Sequence, residues 1–333
     1  MKTTAEVVVV GAGIIGSSIA YQLARRGVDV IALDKGAAPA EGSTGASSSI
    51  CRCRYTYPEV VRLAFHGQQA YGGWEEFTGL SEVRSGLQRV GVLWMMGETI
   101  SKVRADADKL VSQGVEAEAL GPDQVTELFP ALSTCGEPFD LTGETPHLCR
   151  PGEAFLFEPQ GGYADPVGAN QDLILATRVR GGEVRFRSQV VDVVRERGRV
   201  TGVRMADGSV ISAGLVINAA GPWCNHLNAA AGCELRWTLT PTRIQTVYRP
   251  WPEELGPLPV GADASTGIYF RPESGGQQVL VGSVLAEDEE EVVDDPDDYK
   301  SVPDADFTEI KLAAFHHRVP GLEARGRVSG VAG

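Results

Sequence analysis

The stretch Glu6–Asp34, EVVVVGAGIIGSSIAYQLARRGVDVIALD, decides how this chain folds. Glu6–Val10 is a β-branched apolar run, the pattern of a parallel strand buried on both faces. Ile14–Arg26 follows with helical spacing, and Gly27 ends that helix at the C′ position. Val28–Leu33 reads as a second strand. A strand, a helix and a strand in succession predict a parallel sheet at the start of the chain. Between the first strand and the helix lies Gly11-Ala12-Gly13-Ile14-Ile15-Gly16, which fits GxGxxG. Gly11 permits a tight turn, Gly13 lets backbone approach a pyrophosphate, and Gly16 lets helix and strand pack closely. The helix N-terminus then offers free N–H groups and a positive dipole end to phosphate. Alone, the motif is an ordinary glycine-rich turn. Here it follows a strand, opens a helix and precedes Asp34 at the spacing of a ribose-binding acid, so it predicts a dinucleotide site.

Working outward, Pro58–Phe77 reads as a helix, Val90–Met96 as a strand and Ile100–Gln113 as a helix closed by Gly114. Gly121–Leu128 is a short helix, and residues 131–150 form an irregular connection rich in Pro, Gly and Thr. A new rhythm starts at Gly161, with a helix over Ala164–Val179 and strands at Val184–Phe186 and Val190–Arg195. Arg197-Gly198 and Asp207-Gly208 mark two hairpins, and Gly214–Ala219 is another buried strand. From about residue 235 to 285 the pattern alternates through Arg243–Tyr248, Gly267–Arg271 and Val279–Val284. Ala286–Asp298, AEDEEEVVDDPDD, reads as a solvated acidic loop. The expected fold is α/β: a Rossmann-like dinucleotide-binding domain interleaved with an antiparallel β-sheet substrate domain. The first comprises 1–88 and 151–226, the second 89–150 and 227–322, and 323–333 begins a return to the first.

The 333 residues suffice for such a pair, and 43% hydrophobic and 22% charged content is ordinary for a soluble protein. A formal net charge of -14 argues against nucleic acid or an anionic membrane as partner. No apolar stretch reaches a membrane span. The start, MKTTAEVVVVGAGIIGSSIA, has the outline of a signal peptide, but Glu6 and three glycines interrupt it and amphipathic sequence continues to Asp34. The six cysteines (51, 53, 135, 149, 224, 233) form no dense framework, which predicts reduced thiols and a cytoplasmic location. Cys51 and Cys53 lack a second pair or a His at zinc-ligand spacing, so they read as packing residues and no metal is expected. His66, His316 and His317 read as isolated structural histidines.

GxGxxG serves both NAD and FAD. Val216–Trp223, VINAAGPW, separates them: a second buried strand ending in small residues and Gly221 brings bare backbone to a ligand at the sheet's carboxyl edge. With that segment the chain resembles FAD-dependent oxidoreductases of the D-amino-acid oxidase, sarcosine oxidase and glycine oxidase type. The resemblance rests on GAGIIGSSIAYQLARRG with Asp34, on Gly42–Arg52 (GSTGASSSICR), on Gly161–Pro166 (GGYADP) and on Gln189-Val190. VINAAGPW and Ile268–Gly276 (IYFRPESGG) leading to VLVGS complete it. It implies FAD lying extended beneath an antiparallel substrate domain. Gly11, Gly13, Ile15 and Gly16 would face the pyrophosphate, and Asp34 the adenosine ribose with Lys35 beside it. Ser43, Thr44 and Ser48 would hold the phosphate and ribityl side. Val190 would meet adenine, and Ala220, Gly221 and Trp223 would border the flavin.

The implied reaction moves a hydride from the carbon next to a substrate amine to the flavin, giving an imine that hydrolyses. An amino-acid-like substrate carries a carboxylate, whose natural partner is a guanidinium. Arg52 and Arg271 are the candidates, with Tyr269 as a pocket-lining residue. Each has a structural alternative: an ion pair or flavin contact for Arg52, a sheet-edge cap for Arg271, core packing for Tyr269. Monomeric sarcosine oxidases place a His and a further Arg where this chain has Gly45 and Ser49. That points away from sarcosine and toward β-subunit and dehydrogenase-like relatives. The sequence stops at RGRVSGVAG, where the family continues with another strand, a substrate loop and a glycine-rich helix start, so weak FAD binding by this polypeptide is expected. Gly333 falls near the Cys that some relatives link to FAD. Three functions are in play: a C–N-oxidising flavoenzyme acting on a small amine or amino acid, an FAD-dependent hydroxy-acid oxidoreductase, and a noncatalytic subunit or assembly factor. Oxygen or a carrier protein would accept the electrons, and an oligomer is compatible with the sequence.

Overall fold

The computed structural model describes residues 2–138, 140, 146–233, 235–237, 239–323 and 326–333. In chain order it runs β1 (Thr4–Val10), α1 (Ile14–Arg25), β2 (Val30–Leu33), α2 (Ser43–Ala46), β3 (Ile50–Cys51), α3 (Pro58–Gly72), α4 (Trp74–Thr78), β4 (Val92–Met95), α5 (Ile100–Val111) and β5 (Glu118–Leu120). It continues with α6 (Pro122–Leu128), β6 (Phe155–Glu158), β7 (Gly162–Tyr163), α7 (Pro166–Val179), β8 (Glu183–Arg185), β9 (Val190–Glu196), β10 (Arg199–Met205), β11 (Val210–Asn218) and α8 (Cys224–Ala230). Six further elements complete it: β12 (Gln245–Pro250), β13 (Val260–Asp263), β14 (Ile268–Glu273), β15 (Gln278–Ser283), then α9 (Ala305–Arg318) and β16 (Ser329–Ala332).

Two large sheets share the chain. The first has the order β8-β2-β1-β11-β10-β9. Its β8, β2, β1 and β11 are parallel, and the β9-β10-β11 meander is antiparallel. Val8 and Val9 in β1 and Ile31 and Ala32 in β2 have no exposed surface, as strands covered on both faces require. Each fully buried valine contributes about 1.5–3 kcal/mol, so β1 is the spine of this layer. α1 and α7 cover one face, and α8 with the meander's apolar residues closes the other.

The second sheet has the order β16-β12-β15-β14-β13-β4-β6-β5, antiparallel except for the β13–β4 pair. α9 packs across β12, β14 and β15, with its Phe315 against Phe270 and Val281. The expected α/β fold with an interleaved antiparallel sheet is therefore present. Three local expectations differ. Pro58–Phe77 breaks at Gly73 into α3 and α4. β6 pairs with β4 and β5, so the second sheet's first portion runs to Glu158 and not to residue 150. Ser329–Ala332 pairs with β12 as an edge of the second sheet, although Gly333 then comes against Ala46 of the loop after β2. Part of the 131–150 connection lies outside the described residues.

The acidic stretch is also more committed than a solvated loop. Asp288 pairs with the buried Lys311 at 2.6 Å, Glu291 with the buried Arg243 at 2.7 Å, and Asp297 with Lys35. Val292 bridges to Thr242, so the run straps the edge of the second sheet. Among the described residues, no helix is long and apolar enough to cross a membrane.

Candidate active site

The turn after β1 is crowded as its glycines require. Gly11 has φ +97°, and a Cβ there would lie 2.2 Å from the Ala219 carbonyl oxygen at the end of β11. A Cβ on Gly16 would lie 1.9 Å from the Gly11 carbonyl oxygen. Gly13 is the N-cap of α1, with no side-chain cap and no acid in the first turn, so the helix end stays positive. The Thr44 hydroxyl accepts from the Ile14 N–H at 3.0 Å, which sets the loop of Ser43 and Thr44 on that helix end. Ile15 is 66% exposed there, a bare apolar side chain at the mouth of the turn. Asp34 is fixed by two backbone donors, Ala12 N–H at 2.7 Å and Gly36 N–H at 2.8 Å. The Ser188 N–H donates to the Asp34 carbonyl, which brings Gln189-Val190 alongside the same acid.

At the end of β11, Ala220 and Gly221 lead into a single 3-10 turn through Trp223. Lys35 Nζ stands 4.0 Å from the Trp223 ring centroid, and Gly42 faces the same indole. Trp223 Nε1 is buried without a hydrogen-bond partner among the described residues. A helix N-terminus with no acid in its first turn, a fixed acid, a side-chain-free turn and an orphaned buried donor together fit an extended dinucleotide.

Two residues that the sequence reading missed hold this arrangement. Asn170, fully buried on α7, donates through Nδ2 to the Ala12 carbonyl and to Ser17 Oγ, each at 3.0 Å. Glu158, 1% exposed at the end of β6, accepts from Cys53 N–H at 2.6 Å, Arg54 N–H at 3.2 Å and Trp94 Nε1 at 2.8 Å. Burial raises its pKa above the ordinary carboxylate value, against the pull of those three donors. A lone Glu in FLFEPQ gives no local sign of partners about a hundred residues earlier.

The two loop arginines have different fates. Arg54 is ion-paired with Glu98 at 2.6 Å and Asp106 at 2.9 Å. Arg52 has no ion pair among the described residues. Its guanidinium donates to the Arg54 carbonyl at 2.5 Å and lies over Tyr55 and Trp94, 4.1 Å and 5.0 Å from the ring centroids. Arg271 is 2% exposed and fully engaged: Nε donates to the Ser48 carbonyl at 2.5 Å, Nη1 to Pro272, and Nη2 pairs with Glu273 at 2.7 Å. Burial raises the Tyr269 phenol pKa, outweighing its hydrogen bond to the Ser48 side chain, so it stays protonated well past neutrality. β14 thereby grips the loop at Ser48 through two residues. Burial also pushes the Cys51 thiol up to about 11 and the Cys53 thiol to about 12, so both stay neutral near pH 7 and pack as expected.

The parallel sheet, the glycine turn, Asp34 and the overlying second sheet define a dinucleotide-binding oxidoreductase scaffold. The sequence model of the FAD dependent oxidoreductase (DAO) family matches residues 6–333, and the chain belongs to that family. Its cofactor class is FAD. It is 28% identical to the glycine oxidase of Pseudomonas putida over 332 residues, covering 98% of this chain and 81% of that one. It is 28% identical to 4-methylaminobutanoate oxidase (formaldehyde-forming) of Paenarthrobacter nicotinovorans, covering 85% of this chain and 32% of that one. Against the mouse mitochondrial pyruvate dehydrogenase phosphatase regulatory subunit it is 26% identical over 83% of this chain and 30% of that one. The chain thus spans about a third of the latter two relatives. The solved structure of L-proline dehydrogenase from P. horikoshii superposes with a TM-score of 0.83 at 21% identity, covering 100% of this chain and 82% of that one.

Proposed function

We propose that this protein oxidises the C–N bond of a carboxylate-bearing amine, an amino acid or an N-methylated derivative. Bound FAD supplies the hydride acceptor. Gly11, Gly13, Ile15 and Gly16 would line its pyrophosphate, Asp34 and Lys35 its ribose end, and Ser43, Thr44 and Ser48 its middle. Val190 would meet the adenine, while Ala220, Gly221 and Trp223 would border the flavin. The observation that carries the substrate reading is the Arg52 guanidinium. It is held between Tyr55 and Trp94 at the junction of loop and second sheet, yet it is ion-paired with no carboxylate among the described residues. Such a group is the natural partner of a substrate carboxylate. Arg271, saturated by Ser48, Pro272 and Glu273, serves in this reading to lock the loop to β14, with Tyr269 beside it at the pocket wall.

The similarity to a phosphatase regulatory subunit favours a second reading, a noncatalytic subunit on the same scaffold. Anaerobic mixing of the FAD-loaded protein with N-methylated and D- and L-amino acids separates these. Bleaching of the flavin absorbance by carboxylate-bearing amines, and not by their decarboxylated analogues, is the expected outcome. Bleaching by 2-hydroxy acids alone would move the assignment to hydroxy-acid oxidation, and no bleaching by any of them would support the noncatalytic subunit. Reoxidation in air against reoxidation by a carrier dye then distinguishes oxygen from a carrier as acceptor.

A further inference from the structure

Away from the dinucleotide turn, four soft-ligand side chains from three separate stretches converge. Cys135 Sγ lies 3.3 Å from His147 Nε2. The His147 and His317 rings meet edge-on with centroids 4.5 Å apart. One ligand atom from each of Cys135, His147 and His317 lies within 4.8 Å of the others. Cys149 lies beside Cys135, close enough for the two thiols to interact. His317 is therefore not the isolated structural histidine that its sequence context suggested.

Backbone sets this cluster in place independently of the four side chains. Ser133 N–H donates to the Arg318 carbonyl at 2.8 Å, while the Arg318 guanidinium donates back to the Ser133 carbonyl. Arg318 is itself fixed by the fully buried Asp263 at 2.6 Å. This clamp holds the residues just before Cys135 against the end of α9, next to His317. Cys135 then bridges to Pro151, with Gly136 N–H to the Arg150 carbonyl and Gly152 N–H to the Thr134 carbonyl, both at 2.8 Å. That pairing sets Cys149, two residues before Pro151, on the diagonal from Cys135.

We propose that Cys135, His147 and His317, completed by Cys149, bind one Zn2+ ion that ties the connection after α6 to the end of α9. Two thiolates and two neutral imidazoles are a structural zinc set, they neutralise the dication, and their closed tetrahedron leaves no position for a reacting water. The ligand atoms of Cys135, His147 and His317, spread up to 4.8 Å apart, need close only slightly, since zinc–sulfur and zinc–nitrogen bonds of roughly 2.3 and 2.0 Å leave ligands nearer 3.5 Å apart, while the Cys149 thiol has to turn in from beside Cys135. The carboxylate-free ligand set disfavours calcium and magnesium, which require oxygen.

The test is metal analysis of the FAD-loaded protein purified under reducing conditions from zinc-supplemented medium. About one zinc per chain is expected for the wild type. Cys135→Ser with Cys149→Ser, and separately His317→Asn, should cut retained zinc at least tenfold while leaving bound FAD unchanged. Because a variant that misfolds would also lose zinc, the wild type is titrated directly with Co2+ after metal removal. A thiolate-to-cobalt charge-transfer band with the d–d bands of tetrahedral cobalt is expected. No zinc and no tetrahedral cobalt spectrum in the reduced wild type would overturn the site. So would variants that bind as the wild type does, or a Cys135–Cys149 disulfide protein that takes up no metal once reduced.

Discussion

Arg52 and Glu158 form one unit, although only the first announces itself in the sequence. Glu158 accepts three hydrogen bonds from the segment and indole that frame Arg52, so its task is to position the guanidinium's surroundings. Glu158→Gln keeps the shape but offers one acceptor oxygen and points an NH2 at N–H donors. Leaving a buried donor unpaired costs about 1–3 kcal/mol, and that loss is expected in urea unfolding. Arg52→Ala should lower kcat/KM for a carboxylate-bearing substrate about 10- to 100-fold, the worth of a charged hydrogen-bonded pair, with global stability little changed. If Glu158 acts through Arg52, adding Glu158→Gln to Arg52→Ala should lower kcat/KM less than it does in the wild type; full additivity would separate the two. Arg52 stood out as a candidate because it lies in the loop that the family resemblance sets against the flavin, and a guanidinium is the natural partner of a carboxylate. Its partner was not, because burial and long-range pairing leave no local pattern.

At the scale of elements, local chemistry carried most of the reading. β1, α1 and β2 follow from an apolar run, a 3.6-residue period and glycine punctuation. The Arg197-Gly198 turn forms with both residues at positive φ, +51° and +78°, as a tight hairpin demands. Elements whose stability comes from distant neighbours were invisible: β13, only four residues long, exists through its pairing with β4 and β14. Gly16 lets opposing effects be weighed. In an exposed helix, Gly→Ala gains up to about 1 kcal/mol. Here the new Cβ would lie 1.9 Å from the Gly11 carbonyl oxygen, and relieving such overlap costs about 1–3 kcal/mol and moves the turn. Gly16→Ala is therefore expected to lower the thermal midpoint and to weaken FAD retention in gel filtration at least tenfold. Gly181→Ala is the control, since it has positive φ but open space around it and lies away from the turn; it should lower stability modestly and keep FAD.

Across the whole molecule, the acidic stretch joins parts that the two-sheet plan leaves apart, and this linkage has a pH signature. Arg243, buried before β12, is satisfied by Glu291 of the strap at 2.7 Å, by Asp304 before α9 at 2.8 Å, and by the Lys300 and Val302 carbonyls. The Arg243 hydrogen bond, helped by Lys300, lowers the Asp304 pKa to about 2, below its ordinary value of 3.8. A carboxylate with a depressed pKa binds fewer protons folded than unfolded, so stability rises with pH through that interval. Its contribution is fully present above about pH 4 and disappears as pH falls through about 2. Asp304→Asn should therefore be less stable than the wild type at pH 6. The gap should narrow steadily in urea midpoints between pH 4 and pH 2, as the wild type loses its charge and the variant has none to lose. A gap constant across that range would mean that Asp304 acts through shape and not through its charge on Arg243, and the strap would then have no acid-sensitive link to the second sheet at this residue.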